Sequence, residues 1–244
     1  MGVDTGEVCS IAVRELIDPG HSRRCRWVYF EAPPVERLVE RCRRAREALG
    51  AEACVVDSGP YRLLARQVQD QDPENTFLWS HAEGEMRTAE GEHLGATRKR
   101  VLLNREELLE GLLEEAAGMR GLLPSPRTPE EEELLALVGT HLKNLRRKLA
   151  ERAGKEVLAF ERNENHFGFA MAYARLAEEL AIAEGLLVPH AGGYAAPAGS
   201  AGAGQGVSPY APAGLLRPVL GDMGWREDPG SYARGLMMRG GFRR

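Results

Sequence analysis

The chain has 244 residues, 43% of them hydrophobic and 28% charged, with a formal net charge of −4. That suits a soluble globular protein with one well-cored domain and material to spare, and it excludes a uniformly basic DNA-coating protein. No apolar run approaches the ~20 residues that span a bilayer, and the opening "MGVDTGEV" lacks the basic and apolar regions of a signal peptide.

Met-Gly at the start is not followed by the Ser or Thr that myristoylation needs, because Gly6 stands there. The four cysteines, Cys9, Cys25, Cys42 and Cys54, form no C-x-x-C pair. Buried free thiols in a reducing cytoplasm are the expectation, with no membrane partner.

In chain order, "MGVDTG" reads as a short first strand, and "CSIAVREL" and "RRCRWVYFEA" as the next two, separated by the turn signal "DPGHS". Val35, Leu38, Val39, Cys42 and Leu49 recur at helical spacing. A fourth strand, "ACVVD", ends on Asp57, and a helix is expected after Ser58-Gly59 with Pro60 at its first position. "TFLWSHA" is a fifth strand. Asn104 with Glu107, and Thr128 with Glu131, have capping-box spacing and predict two helix starts. "GLLPSP" breaks the chain between them. A last helix runs from near His166 to about Glu184, with Ala170, Tyr173, Ala174, Ala177 and Leu180 on its apolar face. From 186 to 244 the chain is rich in Gly, Ala, Pro and Ser and reads as a flexible tail.

Asp4 ends the first strand and Asp57 the fourth. In a β-β-β-α-β arrangement those strands are neighbours, so both side chains converge at one sheet edge. Glu164, Asn165 and His166 stand at the start of the last helix. Such a cluster suits Mg²⁺, which takes oxygen ligands from one or two carboxylates. Two such ions ~4 Å apart assist phosphodiester cleavage. Each acid also has a mundane alternative: Asp4 as a turn residue, Asp57 as a helix cap, Glu164 as solvated surface.

The strings "GVDTGEVCSIAVREL", "ACVVDSGPYRLLARQ", "VLLNREELLEGLLEE", "GLLPSP", "HLKNLRRKL" and "NHFGFAMAYARLA", in this order, resemble the nuclease domain of tailed-phage terminase large subunits over residues 1–185. The resemblance implies an α/β, RNase H-like mixed β-sheet flanked by helices. It implies a Mg²⁺- or Mn²⁺-dependent endonuclease, with a two-metal site, that cuts double-stranded viral DNA during genome packaging in the host cell cytoplasm. Asp4 and Asp57 match the family's first two metal-binding acids. The third does not match: the family pattern has Asp before His-Phe, and here Asn165 stands there, whose amide oxygen can ligate a metal but brings no charge, and which is also a preferred N-cap residue. Glu164, one residue earlier and one methylene longer, is the candidate substitute for the third acid. His166 is a candidate to orient a water or a phosphate from behind the ligands, with an ordinary surface histidine as the plain alternative.

Cutting a duplex needs phosphate contacts from Lys and Arg. Arg98, Lys99 and Arg100 beside the apparent "TAEGEHLG" hairpin fit a loop over DNA, and a solvated basic turn is the plain alternative. Lys143, Arg146, Arg147 and Lys148 read as a solvated helix face. No G-x-x-x-x-G-K-[ST] loop occurs. The resemblance therefore implies a nuclease half, separately encoded or a fragment, whose partners would be a separate ATPase portion, the small terminase subunit and the portal. The alternatives are a DNA-binding or assembly module that has lost its chemistry through Asn165, and a junction resolvase or transposase-like relative.

Overall fold

The apolar runs expected as strands assemble into one mixed sheet. A computed structural model describes residues 1–6, 8–18, 24–93, 96–152, 155–161 and 163–187. Most of the "DPGHS" turn, and the predicted tail after 187, lie outside these residues. The sheet contains β1 (Gly2–Asp4), β2 (Ser10–Asp18), β3 (Arg24–Glu31), β4 (Cys54–Asp57), β5 (Thr76–His81), β6 (Arg87–His93), β7 (Ala96–Leu103) and β8 (Gly121–Leu122). Their order is β6-β7-β5-β4-β1-β2-β3-β8. β1, β4, β5 and β7 all run the same way, whereas β2 and β6 are antiparallel to their neighbours. The ends of those four parallel strands therefore share one edge.

Two faces follow from the pleat, since successive side chains point to opposite sides of a sheet. α5 (His166–Ala183) crosses one face over β1, β2 and β4, with α3 (Arg105–Ala117) and α4 (Pro129–Lys143) packed against it. Ala12, Val55, Phe77, Trp79 and Val101 of the sheet join the α5 core with Phe167, Tyr173 and Leu176. α1 (Leu38–Leu49) and α2 (Arg62–Gln69) accompany the other face, where Val3, Val56 and Leu78 are buried. At the crossing point the helix lies directly on Gly2. A Cβ there would stand 2.1 Å from the Ala170 carbonyl oxygen and 2.2 Å from the Ala174 nitrogen.

Local chemistry sets the helix ends. α1 stops at Gly50, whose φ of 61° is the left-handed conformation glycine tolerates. α2 begins at Arg62, later than expected, because Asp57 Oδ1 accepts the Gly59 N–H at 2.8 Å and the resulting turn absorbs Pro60. Asn104 caps α3 by accepting from Glu106 N–H at 2.8 Å. Thr128 caps α4 by accepting from Glu131 N–H at 3.3 Å, while the Glu131 carboxylate reaches Arg127 N–H at 2.7 Å.

The basic stretch read as a helix face is not one. α4 ends at Lys143, and Arg147 and Lys148 begin β9 (Arg147–Arg152), which pairs with β10 (Lys155–Phe160) in a separate antiparallel ribbon. Full pairing from Arg147–Phe160 to Arg152–Lys155 outweighs the helical spacing of the cations. Beneath α5, Arg14 on β2 bonds Glu178 Oε2 at 2.8 Å and Glu115 Oε2 at 2.9 Å, its side chain nearly buried. This pair of bonds ties β2 to both α3 and α5. Among the described residues, no helix is long and apolar enough to cross a membrane.

Candidate metal centre

The register Gly2↔Val55 and Val3↔Val56 makes Asp4 and Asp57 the next rung of adjacent parallel strands. Val3 and Val56 point away from α5, so Asp4 and Asp57 both point toward it. The same rung continues to Trp79 on β5 and Ser10 on β2. Thr5 is fully buried, and its Oγ1 donates to the Asp57 carbonyl at 3.1 Å, tying the two strand ends together. The expectation that the first and fourth strands are neighbours holds.

The electrostatics show what this proximity costs. Burial pushes the Asp57 carboxyl up to about 6, and the charge of Asp4 pushes the same way. The Gly59 N–H and Arg105 pull it down less strongly. Tyr173, buried beneath the pair, has its phenol raised by burial first and then by Asp57 and Asp4. Two polar atoms in this rung, Ser10 Oγ and Trp79 Nε1, are buried without a hydrogen-bond partner. Two oxygen donors side by side, the charge of Asp4 raising the proton affinity of Asp57, fit a small hard cation, which one or two protein carboxylates commonly hold alongside water. A second ion would require further donors, and among the described residues there is no group of three or more His, Cys, Asp or Glu side chains able to hold a metal.

The start of α5 meets this edge through His166. Its Nδ1 lies 2.8 Å from Asp4 Oδ2, so with an ionised carboxylate the ring donates from Nδ1. Gly6 leaves room for that contact: a Cβ there would be 3.0 Å from His166 Nδ1 and 3.3 Å from Asp4 Oδ2.

Asn165 occupies the N-cap position and is buried, yet its side chain makes no capping bond. The missing cap comes from elsewhere. His141 on α4, also buried, accepts the Phe167 N–H on its Nδ1 at 3.1 Å. Burial and then the neighbouring His166 lower the His141 pKa to about 4, so the ring is neutral at pH 7. Glu164 is exposed, and its carbonyl accepts from Asn144 Nδ2 at 2.7 Å. Its carboxylate thus stands on the surface beside the helix start rather than in a three-acid cluster with Asp4 and Asp57.

The predicted basic loop is placed differently. Arg98, Lys99 and Arg100 lie within β7 rather than on a turn. Arg98 is buried and paired with Asp70 at 2.5 Å, and Lys99 pairs with Glu184 at 2.5 Å. Strand alternation sends these two cations to opposite faces. Arg100 is partly buried and borders a cleft of about 160 Å³ that also touches Phe77, Glu90, Lys99 and Glu184 but not Asp4 or Asp57. A cation that emerges at the same strand-end edge as Asp57 is Arg105, the first residue of α3, which sequence reading passes over. Its one legible signal is its place just after a strand parallel to the acid-bearing ones.

The chain matches no family model, no curated protein and no solved structure.

Proposed function

We propose that the chain is a divalent-metal-dependent DNA endonuclease of the terminase nuclease kind. The observation that carries this reading is the Asp4–Asp57 rung: two carboxylates on one face of adjacent parallel strands, at the strand-end edge where open α/β sheets place their sites. The strand order β3-β2-β1-β4-β5, with only β2 reversed, supports an RNase H-like assignment of the central sheet.

Mg²⁺ or Mn²⁺ held by Asp4 and Asp57 would supply the positive charge that activates a water and stabilises the leaving oxygen of a phosphodiester. The chain's own residues keep the ligands in place. His166 orients Asp4 from α5, the Gly59 N–H fixes one oxygen of Asp57, and Thr5 locks the strand ends together. The substrate is double-stranded DNA. In a packaging setting the partners are an ATPase portion, a small terminase subunit and a portal, and the place of action is the host cytoplasm.

The test is conversion of supercoiled plasmid in Mn²⁺ or Mg²⁺ by the wild type beside Asp57→Ala. Nicking by the wild type alone supports the reading, and equal nicking by both proteins refutes it. One observation favours a second reading, a DNA-binding or assembly module: Asn165 stands where an acid is expected, and Glu164 is turned to the surface. Cleavage that switches on in Asn165→Asp from a silent parent selects the module.

A further inference from the structure

Arg105 occupies an unusual position for an exposed cation. It follows β7, a strand parallel to β4 and β5, so it emerges at the same edge as Asp57. Its backbone N–H is donated to His81 Nδ1 at 3.3 Å, which pins the start of α3 to the end of β5. Its guanidinium carbon lies 4.4 Å from the centroid of the Phe169 ring. Phe169 is one helical turn beyond His166, the residue that holds Asp4.

Several of the described arginines answer a carboxylate. Arg14, Arg26, Arg41, Arg43, Arg98, Arg147 and Arg175 all sit in ion pairs. Among the described residues Arg105 forms no ion pair, although it emerges at the strand-end edge that carries Asp57. A guanidinium lying on an aromatic ring keeps its in-plane N–H groups available, and their fork matches two oxygens of a phosphate.

We infer that Arg105, seated on Phe169, binds a backbone phosphate of a nucleic-acid duplex beside the Asp4–Asp57 pair. This rests on the nuclease reading for the choice of ligand. A diester approaching two carboxylates meets repulsion, and a neighbouring cation with free donors offsets it. Arg98 and Lys99 cannot serve in this way, because each is already held by an acid.

The experiment is fluorescence anisotropy of a labelled mixed-sequence duplex, titrated against KCl in Ca²⁺, with Mn²⁺ plasmid nicking in parallel. The proteins are wild type, Arg105→Ala, Arg105→Gln and the distant control Arg43→Ala. Loss of one phosphate contact should weaken low-salt binding roughly tenfold and reduce the salt slope by about one in both Arg105 variants. Arg43→Ala should leave both unchanged. The glutamine variant keeps the helix start intact should the alanine variant fold poorly.

A purely structural role would lower the melting temperature and leave the salt slope where it was, and that result overturns the proposal. So does wild-type binding in both Arg105 variants, even if the plasmid is nicked and the nuclease reading stands. Arg105-dependent binding by a protein that never nicks supports the phosphate site while removing the nuclease reading. No duplex binding by the wild type removes both.

Discussion

The Phe167 backbone N–H is donated to Nδ1 of His141 at 3.1 Å, so the helix that delivers His166 to Asp4 is capped by a side chain from a different helix. Replacing that cap with an apolar residue leaves a buried donor unpaired. His141→Leu should cost roughly 1–3 kcal/mol, read from urea unfolding at neutral pH. It should also weaken the order of the first α5 turn, visible as faster amide hydrogen exchange at Phe167 and Gly168.

The same histidine predicts acid sensitivity. Its pKa is lowered from 6.5 to about 4, so between these values the unfolded chain takes up a proton that the folded one refuses. Its contribution is complete above about pH 6.5 and is lost as pH falls through about 4. The full term is on the order of 3 kcal/mol. Urea midpoints of the wild type across this window, set beside those of His141→Leu, should differ in pH slope. Parallel curves would remove His141 as the source.

Asp57 carries the opposite sign. Its pKa is raised from 3.8 to about 6, so the folded state binds the proton more tightly. That contribution is present below about pH 3.8 and is lost as pH rises through about 6. In EDTA at about pH 8, Asp57→Asn should therefore be more stable than the wild type, by on the order of 1–2 kcal/mol after allowance for its partial exposure. Added Mn²⁺ should raise the melting temperature of the wild type and leave that of Asp57→Asn nearly unchanged.

Gly2→Ala should be severe for so small a change. The new methyl would meet backbone of α5 at 2.1 and 2.2 Å, and backbone cannot swing aside as a side chain can. A loss of about 3 kcal/mol or more is expected, measured by thermal melting. Enlarging Gly50, which has nothing within 4 Å of its would-be Cβ, tests left-handed backbone strain alone and should cost about 1 kcal/mol.

Arg14→Met should destabilise the protein by about 3–5 kcal/mol, because it strands the Glu115 and Glu178 carboxylates in a buried setting. The double variant with Glu178→Gln should recover part of that loss. A urea double-mutant cycle checks it, and strict additivity would deny the coupling.

Much of this architecture was legible. Strand ends on Asp4 and Asp57, the adjacency of the first and fourth strands and a long last helix follow from period-two and helical patterns that burial enforces. Other parts depend on partners far away in sequence. Two-residue β8 is too short to carry a pattern and exists only because β3 offers it an edge. Asn165 is a good cap residue by type, yet His141 does the capping from another helix. The run Arg98-Lys99-Arg100 looks like one patch in the sequence. On a strand, neighbours face opposite ways, so Asp70 takes one cation and Glu184 another. Arg105, alone in the sequence, gains its significance from the edge on which four parallel strands end.

The ribbon of β9 and β10 leaves and rejoins the body at clasped points. Glu161 N–H is donated to the Arg146 carbonyl at 2.8 Å, and Asn144 Nδ2 to the Glu164 carbonyl at 2.7 Å, just before α5 begins. With its base stitched shut, this excursion behaves as an interchangeable attachment. A change in its length is absorbed beyond the clasp, so the start of α5 and the His166–Asp4 contact keep their alignment.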